Sequence, residues 1–138
     1  MSTRTAPAAQ STVQPKGLRV GVVAVTSTFS PGAGQSISAG DIIQMIKVPA
    51  NSTVVDLIVN SDYFQASITV GDGLDDDRYV LLRSTSALMV PYHADRVLAP
   101  YTYSTDDTID IFVSLVSVTS IAGSFTVTAI MSMDIQGT

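Results

Sequence analysis

Apolar and polar positions alternate along most of this 138-residue chain. The pattern is clearest over 124–135, where Phe125, Val127, Ala129, Met131, Met133 and Ile135 fall on one set of alternate positions. Thr126, Thr128, Ile130, Ser132 and Asp134 fall on the other. Successive side chains of an extended strand point to opposite faces, so this period of two predicts a strand with one dry face. Helix is the poorer reading, because β-branched Thr and Val are stiff at χ1 and the apolar period is not 3.6. A long strand with a single dry face must be covered by a second layer.

The same period recurs upstream. Over 18–28, Leu18, Val20, Val22 and Ala24 oppose Arg19, Gly21, Val23 and Val25, which predicts a strand covered on both sides. Strands at 41–48 and 53–60 are separated by Pro49-Ala-Asn-Ser, since proline cannot donate to a ladder. Val55, Leu57 and Val59 take the dry face of the second. Over 65–70, Ala66, Ile68 and Val70 alternate with Ser67 and Thr69. Shorter strands are expected at 79–83 and 87–90, an irregular crossing or helical turn at 91–98, and a brief extended piece at 101–103. Ile109, Ile111, Val113 and Leu115 align over 108–118, and the Ala122-Gly123 turn predicts a hairpin with the terminal strand. About eight strands with frequent turn signals predict an all-β, antiparallel sandwich. Unequal strands and long middle loops favour a jelly-roll-like arrangement, with an immunoglobulin-like sandwich as the alternative. Residues 1–16 lack periodicity and read as a flexible or extended arm, and 17–138 as a single sandwich domain.

Composition narrows the chemistry. There is no cysteine, so disulfides and thiolate metal sites are excluded. No apolar run approaches the ~20 residues that span a bilayer, and the first ten residues carry no apolar segment of the secretory kind. The net charge is −5 and all 12 acids are Asp, a residue of turns and caps rather than helices. Without a basic stripe, nucleic-acid binding is not expected.

Three candidate sites stand out. Asp72, Asp75, Asp76 and Asp77 offer oxygen ligands for a hard cation. Their spacing does not fit a helix-loop-helix calcium motif, and a solvated hairpin loop with Arg78 as counter-charge is the preferred reading. His93, the single histidine, precedes Asp95 by two residues, but no Gly-x-Ser-x-Gly turn accompanies them. No pair of acids is marked out for glycoside hydrolysis, and no cofactor motif is present, so the chain is read as non-enzymatic. Tyr92, Tyr101 and Tyr103 lie near one another in sequence and suit an interface or a sugar-binding groove, with ordinary packing as the alternative.

Several stretches carry a resemblance. They are Ala39-Gly-Asp-Ile-Ile-Gln-Met-Ile-Lys-Val-Pro-Ala-Asn-Ser-Thr-Val-Val-Asp-Leu-Ile-Val, Ile68-Thr-Val-Gly-Asp-Gly-Leu-Asp-Asp-Asp-Arg-Tyr, Thr105-Asp-Asp-Thr-Ile-Asp-Ile, and Gly123-Ser-Phe-Thr-Val-Thr. Together, over most of 35–135, they resemble the small head-associated proteins of tailed bacteriophages, in which a β-sandwich decorates or cements the capsid. The resemblance implies a binding role without catalytic residues, with the major capsid protein as partner. It also implies a place on the virion surface after assembly in the bacterial cytoplasm, which absence of cysteine suits. The chain is shorter than a shell-forming subunit. Apolar residues on both faces over 20–25 and 42–48 predict self-association, as a homotrimer or homodimer. The arm would lie along a neighbouring subunit through Arg4, Pro7, Val13 and Pro15. The rival reading is a receptor- or glycan-binding head-fibre or tail-associated module that uses the tyrosines.

Overall fold

The structure, a computed structural model, describes residues 3–6, 20–31, 37–62, 66–88, 90–95, 100–116 and 123–134. Among the described residues there are ten strands: β1 (Thr3–Thr5), β2 (Val20–Phe29), β3 (Ile42–Val48), β4 (Ser52–Ser61), β5 (Ala66–Gly71), β6 (Val80–Ser84), β7 (Tyr92–His93), β8 (Tyr101–Thr102), β9 (Asp107–Val116) and β10 (Phe125–Asp134). They form two sheets. The front sheet has the order β1-β3-β9-β5-β6; the back sheet has β2-β10-β4-β7, with β8 also paired to β4. Pairing is antiparallel except between β1 and β3. Consecutive strands pass mostly from one sheet to the other, and the two sheets pack as an all-β sandwich.

The core lies between the sheets, where burial of apolar surface drives the packing. From the front come Ile43, Ile46, Val48, Ile68, Val70, Ile109 and Ile111; from the back, Val54, Leu57, Val59, Phe125, Val127, Ala129 and Met131. β10 is an interior strand of the back sheet, between β2 and β4. It pairs with β2 along its full length and with β4 from Phe125 to Met133. Its Phe125, Val127, Ala129 and Met131 are buried, as its alternation predicts; Ile135 lies outside the described residues.

Among the described residues four register shifts interrupt the ladders, and those in β3, β4 and β9 change which positions face the core. In β3 the register shifts between Gln44 and Ile46, so neighbouring Met45 and Ile46 are both fully buried. That is one reason 42–48 is apolar at consecutive positions. In β4 the register shifts at Val55–Asp56, so Val54, Leu57 and Val59 are buried while Val55 is half-buried on the outer face. In β9, Val113 pairs with Ile68 but Leu115 pairs with Ser67, which turns Leu115 outward at 55 % exposure. Strict alternation assigned both Val55 and Leu115 to the dry face, and each extra residue reverses that assignment.

Other differences are topological. β9 and β10 are not a hairpin; they belong to opposite sheets. Two strands that each have one dry face satisfy it equally well by facing each other across the core. β2 is not covered on both sides, because Val22 is 65 % exposed while Val23 and Val25 pack on the core. The expected strand at 87–90 is a 3₁₀ turn at Thr85–Leu88, which buries Leu88. There Thr85 Oγ1 accepts the Ala66 N–H at 3.3 Å. Of the arm, Thr3–Thr5 form the edge strand β1 and Ala6 is fully buried, its N–H donating to the Gln44 carbonyl at 2.8 Å. The Pro49–Ser52 turn places Asn51 at φ 70°, a left-handed conformation that Asn tolerates. Among the described residues, no helix is long and apolar enough to cross a membrane.

The phase shift in β9 has a direct test. Ile111→Ala should cost about 2–5 kcal/mol by leaving a cavity, whereas Leu115→Ala should stay within about 0.5 kcal/mol. Denaturant unfolding of the two variants measures both, and equal costs would contradict the bulge.

Candidate functional site

The loop between β5 and β6 is the most organised polar feature. It begins at Gly71, where a Cβ would sit 2.0 Å from the Asp75 carbonyl oxygen and 2.5 Å from the Asp76 carbonyl carbon. Only glycine lets the loop fold back so closely. Asp72 then caps the turn, its Oδ1 accepting the N–H groups of Leu74 and Asp75 at 3.0 Å each. The Asp75 carbonyl accepts the Asp72 N–H at 2.9 Å and the Arg78 N–H at 3.3 Å.

Asp72 is 1 % exposed, and a buried carboxylate is costly unless it is paired and hydrogen-bonded. Arg78 Nε and the Tyr103 hydroxyl both donate to its Oδ2, the latter at 2.8 Å. Because Tyr103 donates to Asp72, its oxygen accepts from the buried Tyr79 hydroxyl at 2.5 Å. Burial pushes both tyrosine hydroxyls above the ordinary range, so both keep their protons. The Arg78 guanidinium also lies over the Tyr101 ring, 3.6 Å from its centroid. This network joins the front-sheet hairpin to the segment that follows β8 in the back sheet.

Under the loop, on the outer face of the front sheet, is a cleft of about 530 Å³. Ile42 and Gln44 of β3 and Asp110 and Phe112 of β9 line one part of it; cross-strand register pairs Ile42 with Phe112 and Gln44 with Asp110. Thr3 and residues Asp72–Asp76 complete the lining. Leu74 is 81 % exposed. Asp110 is 4 % exposed, and Thr108 Oγ1 donates to it at 2.6 Å. Burial pushes the Asp110 carboxyl up to about 6; the Thr108 hydrogen bond opposes this, and the charges of Asp107 and Asp72 add to it. The Asp110 feature is missed by sequence reading. On alternation it is an ordinary outward-facing strand residue, and only the returning loop makes it buried.

The predicted site residues are dispersed. Asp72 is turned inward and bonded to Arg78, while ligand oxygens of Asp75, Asp76 and Asp77 lie within 4.8 Å of one another. Tyr103 is 3 % exposed, in the core rather than on a surface. Tyr101 touches it edge-on at 4.7 Å. Tyr92 belongs to a separate cluster, donating to Asp95 at 2.6 Å and accepting from Arg83 Nε at 2.8 Å. Along β4, Tyr101 pairs with Val54 but Tyr92 with Val59, so the three tyrosines do not form one patch. His93 is exposed and its Nδ1 lies 3.0 Å from Asp56, not beside Asp95. Arg4 is half-buried on β1; Pro7, Val13 and Pro15 lie outside the described residues.

No family model matches the chain, and no curated protein does. Solved structures do. A chain from the capsid of Ralstonia phage GP4 superposes with a TM-score of 0.75 at 13% identity, covering 99% of both chains. A chain of the cyanophage Pam1 capsid asymmetric unit gives 0.61 at 18% identity, over 91% of this chain and 95% of that one. A chain of the acid-stable capsid of Helicobacter pylori bacteriophage KHP30 gives 0.62 at 10% identity, over 82% and 88%. At these identities the likeness establishes a shared fold.

Two outcomes test the site's energetics. Arg78→Met leaves Asp72 buried without its counter-charge and should cost about 3–5 kcal/mol; Tyr103→Phe should cost about 1–2 kcal/mol. Denaturant midpoints measure both, and a loss below about 1 kcal/mol for Arg78→Met would contradict the network. Asp110 acts oppositely. Its folded pKa is raised, so the folded state retains a proton that the unfolded chain releases, and stability falls as pH rises from 3.8 to about 6. Asp110→Asn should therefore stabilise the protein at pH 7 by about 1–3 kcal/mol and give no gain near pH 4. The same change at both pH values would contradict it.

Proposed function

We propose that this chain is a non-enzymatic structural protein of a phage virion, bound to the outside of the capsid, which it stabilises or decorates. The observation that carries this reading is the end-to-end superposition on a chain from the capsid of Ralstonia phage GP4, over 99% of each. Agreement over the full length of both chains supports a common role more than a shared sheet alone would, although a fold by itself hosts many functions. Two further phage-capsid chains with the same fold point the same way.

The partners in this reading are the major capsid protein and further copies of this chain, as a homotrimer or homodimer. Outward apolar residues support association: Val22 at 65 %, Leu82 at 57 % and Leu115 at 55 % exposure. The arm is proposed to reach a neighbouring subunit through Pro7, Val13 and Pro15 beyond the β1 edge. The tyrosines give a glycan-binding module little support, because Tyr103 is in the core and Tyr92 is bonded to Arg83 and Asp95.

Shells assembled from the phage's capsid protein without this chain provide the test. Purified chain added to them should sediment with the shells and raise their resistance to heat. A chain that remains in the supernatant while shells are intact would overturn the proposal. Deletion of residues 2–16 should lower shell occupancy at temperatures where the truncated protein is still folded by circular dichroism; unchanged occupancy would remove the arm from the contact.

A further inference from the structure

The outer cleft of the front sheet combines two chemistries. Ile42, Phe112 and the 81 % exposed Leu74 offer apolar surface, while Asp75, Asp76 and Asp110 bring carboxylates to the same lining. Among the described residues, no basic side chain lines it. The nearest cation in sequence, Arg78, is committed to Asp72. A bare metal ion would match the acids and leave the apolar surface unused. A long side chain with an apolar stem and a cationic head matches both.

The geometry points to this cleft as the socket for an arginine or lysine side chain presented by a partner protein, its stem on Ile42, Phe112 and Leu74 and its head between Asp76 and Asp110. In a virion the partner would be the shell, and to that extent the inference rests on the function proposed above. The volume of about 530 Å³ is of ligand size, large enough for one such side chain with the backbone that carries it. The loop over the socket is fixed by Asp72, Arg78 and Tyr103, and the Asp75 carboxylate takes part in it by accepting the Asp77 N–H at 3.3 Å. The groups around Asp110 are Asp72, Asp75, Asp76 and Asp107, with Gln44 and Thr108 neutral. Burial pushes the Asp110 carboxyl up to about 6, so it carries more charge at pH 7 than at pH 5 and a cation lodged beside it should bind more tightly at pH 7.

The test uses the full chain and a blocked Gly-Arg-Gly peptide, followed by methyl NMR of Ile42 and Leu74. Saturable shifts confined to the cleft, absent with Gly-Gln-Gly, support the inference. Asp76→Asn and Leu74→Ala, both at exposed positions, should each weaken binding by about tenfold or less and together by more. Asp62→Asn, at an exposed acid outside the cleft, should leave binding unchanged. Shifts spread over every acidic group, equal affinity in the Asp76→Asn/Leu74→Ala double variant, or shifts produced by calcium chloride and not by peptide would each overturn it. Shell sedimentation separates the two proposals. Wild-type binding that persists in the double variant sinks the socket and leaves the virion role. Failure of the wild type to bind shells sinks the virion role, and the peptide titration still decides the socket.

Discussion

One buried carboxylate organises an end of this sandwich. Asp72 leaves the front sheet at the close of β5 and receives donors from Arg78 in its own loop and from Tyr103 beyond β8. Neither layer supplies both. Without these donors, desolvation would exclude a charged group from this position. With them, the hairpin loop is tied across the layers, and Gly71 lets it lie against its own backbone. Burial pays for the rest of the fold through apolar faces, but this contact determines the shape of the polar end.

That shape separates the molecule's surface into regions of different character. Much of the back sheet's outer face is neutral, with threonine hydroxyls paired across strands: Thr26 with Thr128 at 2.9 Å and Thr53 with Thr102 at 2.7 Å. Acidic groups gather at the loop and at the start of β9, where the Asp107 carboxylate accepts the Gly73 N–H. A neutral, partly apolar sheet beside an acidic rim is suited to contact with other proteins, in which apolar area supplies affinity and charge supplies register. His93 is exposed on Asp56, and Asp95 is occupied by Tyr92, Arg83 and the Leu81 N–H.

The layers were legible in the sequence where alternation was unbroken. Ala66, Ile68 and Val70 are buried as their spacing requires, and so are Ile109, Ile111 and Val113. The turn at Pro49–Asn51 was legible because proline and asparagine have local conformational reasons to be there. Failures began where one residue was added to a strand. Nothing in Thr-Val-Val-Asp-Leu announces that Val55 and Asp56 share one outward position, and the same is true of Ser114 and Leu115. The sheet assignment of β9 and β10 was hidden for another reason: a dry face demands a cover but does not name it. At the candidate site, Asp72 and Arg78 were visible as a charge pair. The buried state of Tyr103 and Asp110 was not, because each depends on a loop distant in sequence.

The proposed capsid-binding role is tested most directly by a reconstruction of phage particles assembled in the presence of this chain. It should show the sandwich on the outer surface of the shell, with the 72–76 loop and the outer face of β3 and β9 against a neighbouring subunit. Particles with no density for the chain, or with density only at a tail tip and away from the shell, would contradict a capsid-binding role.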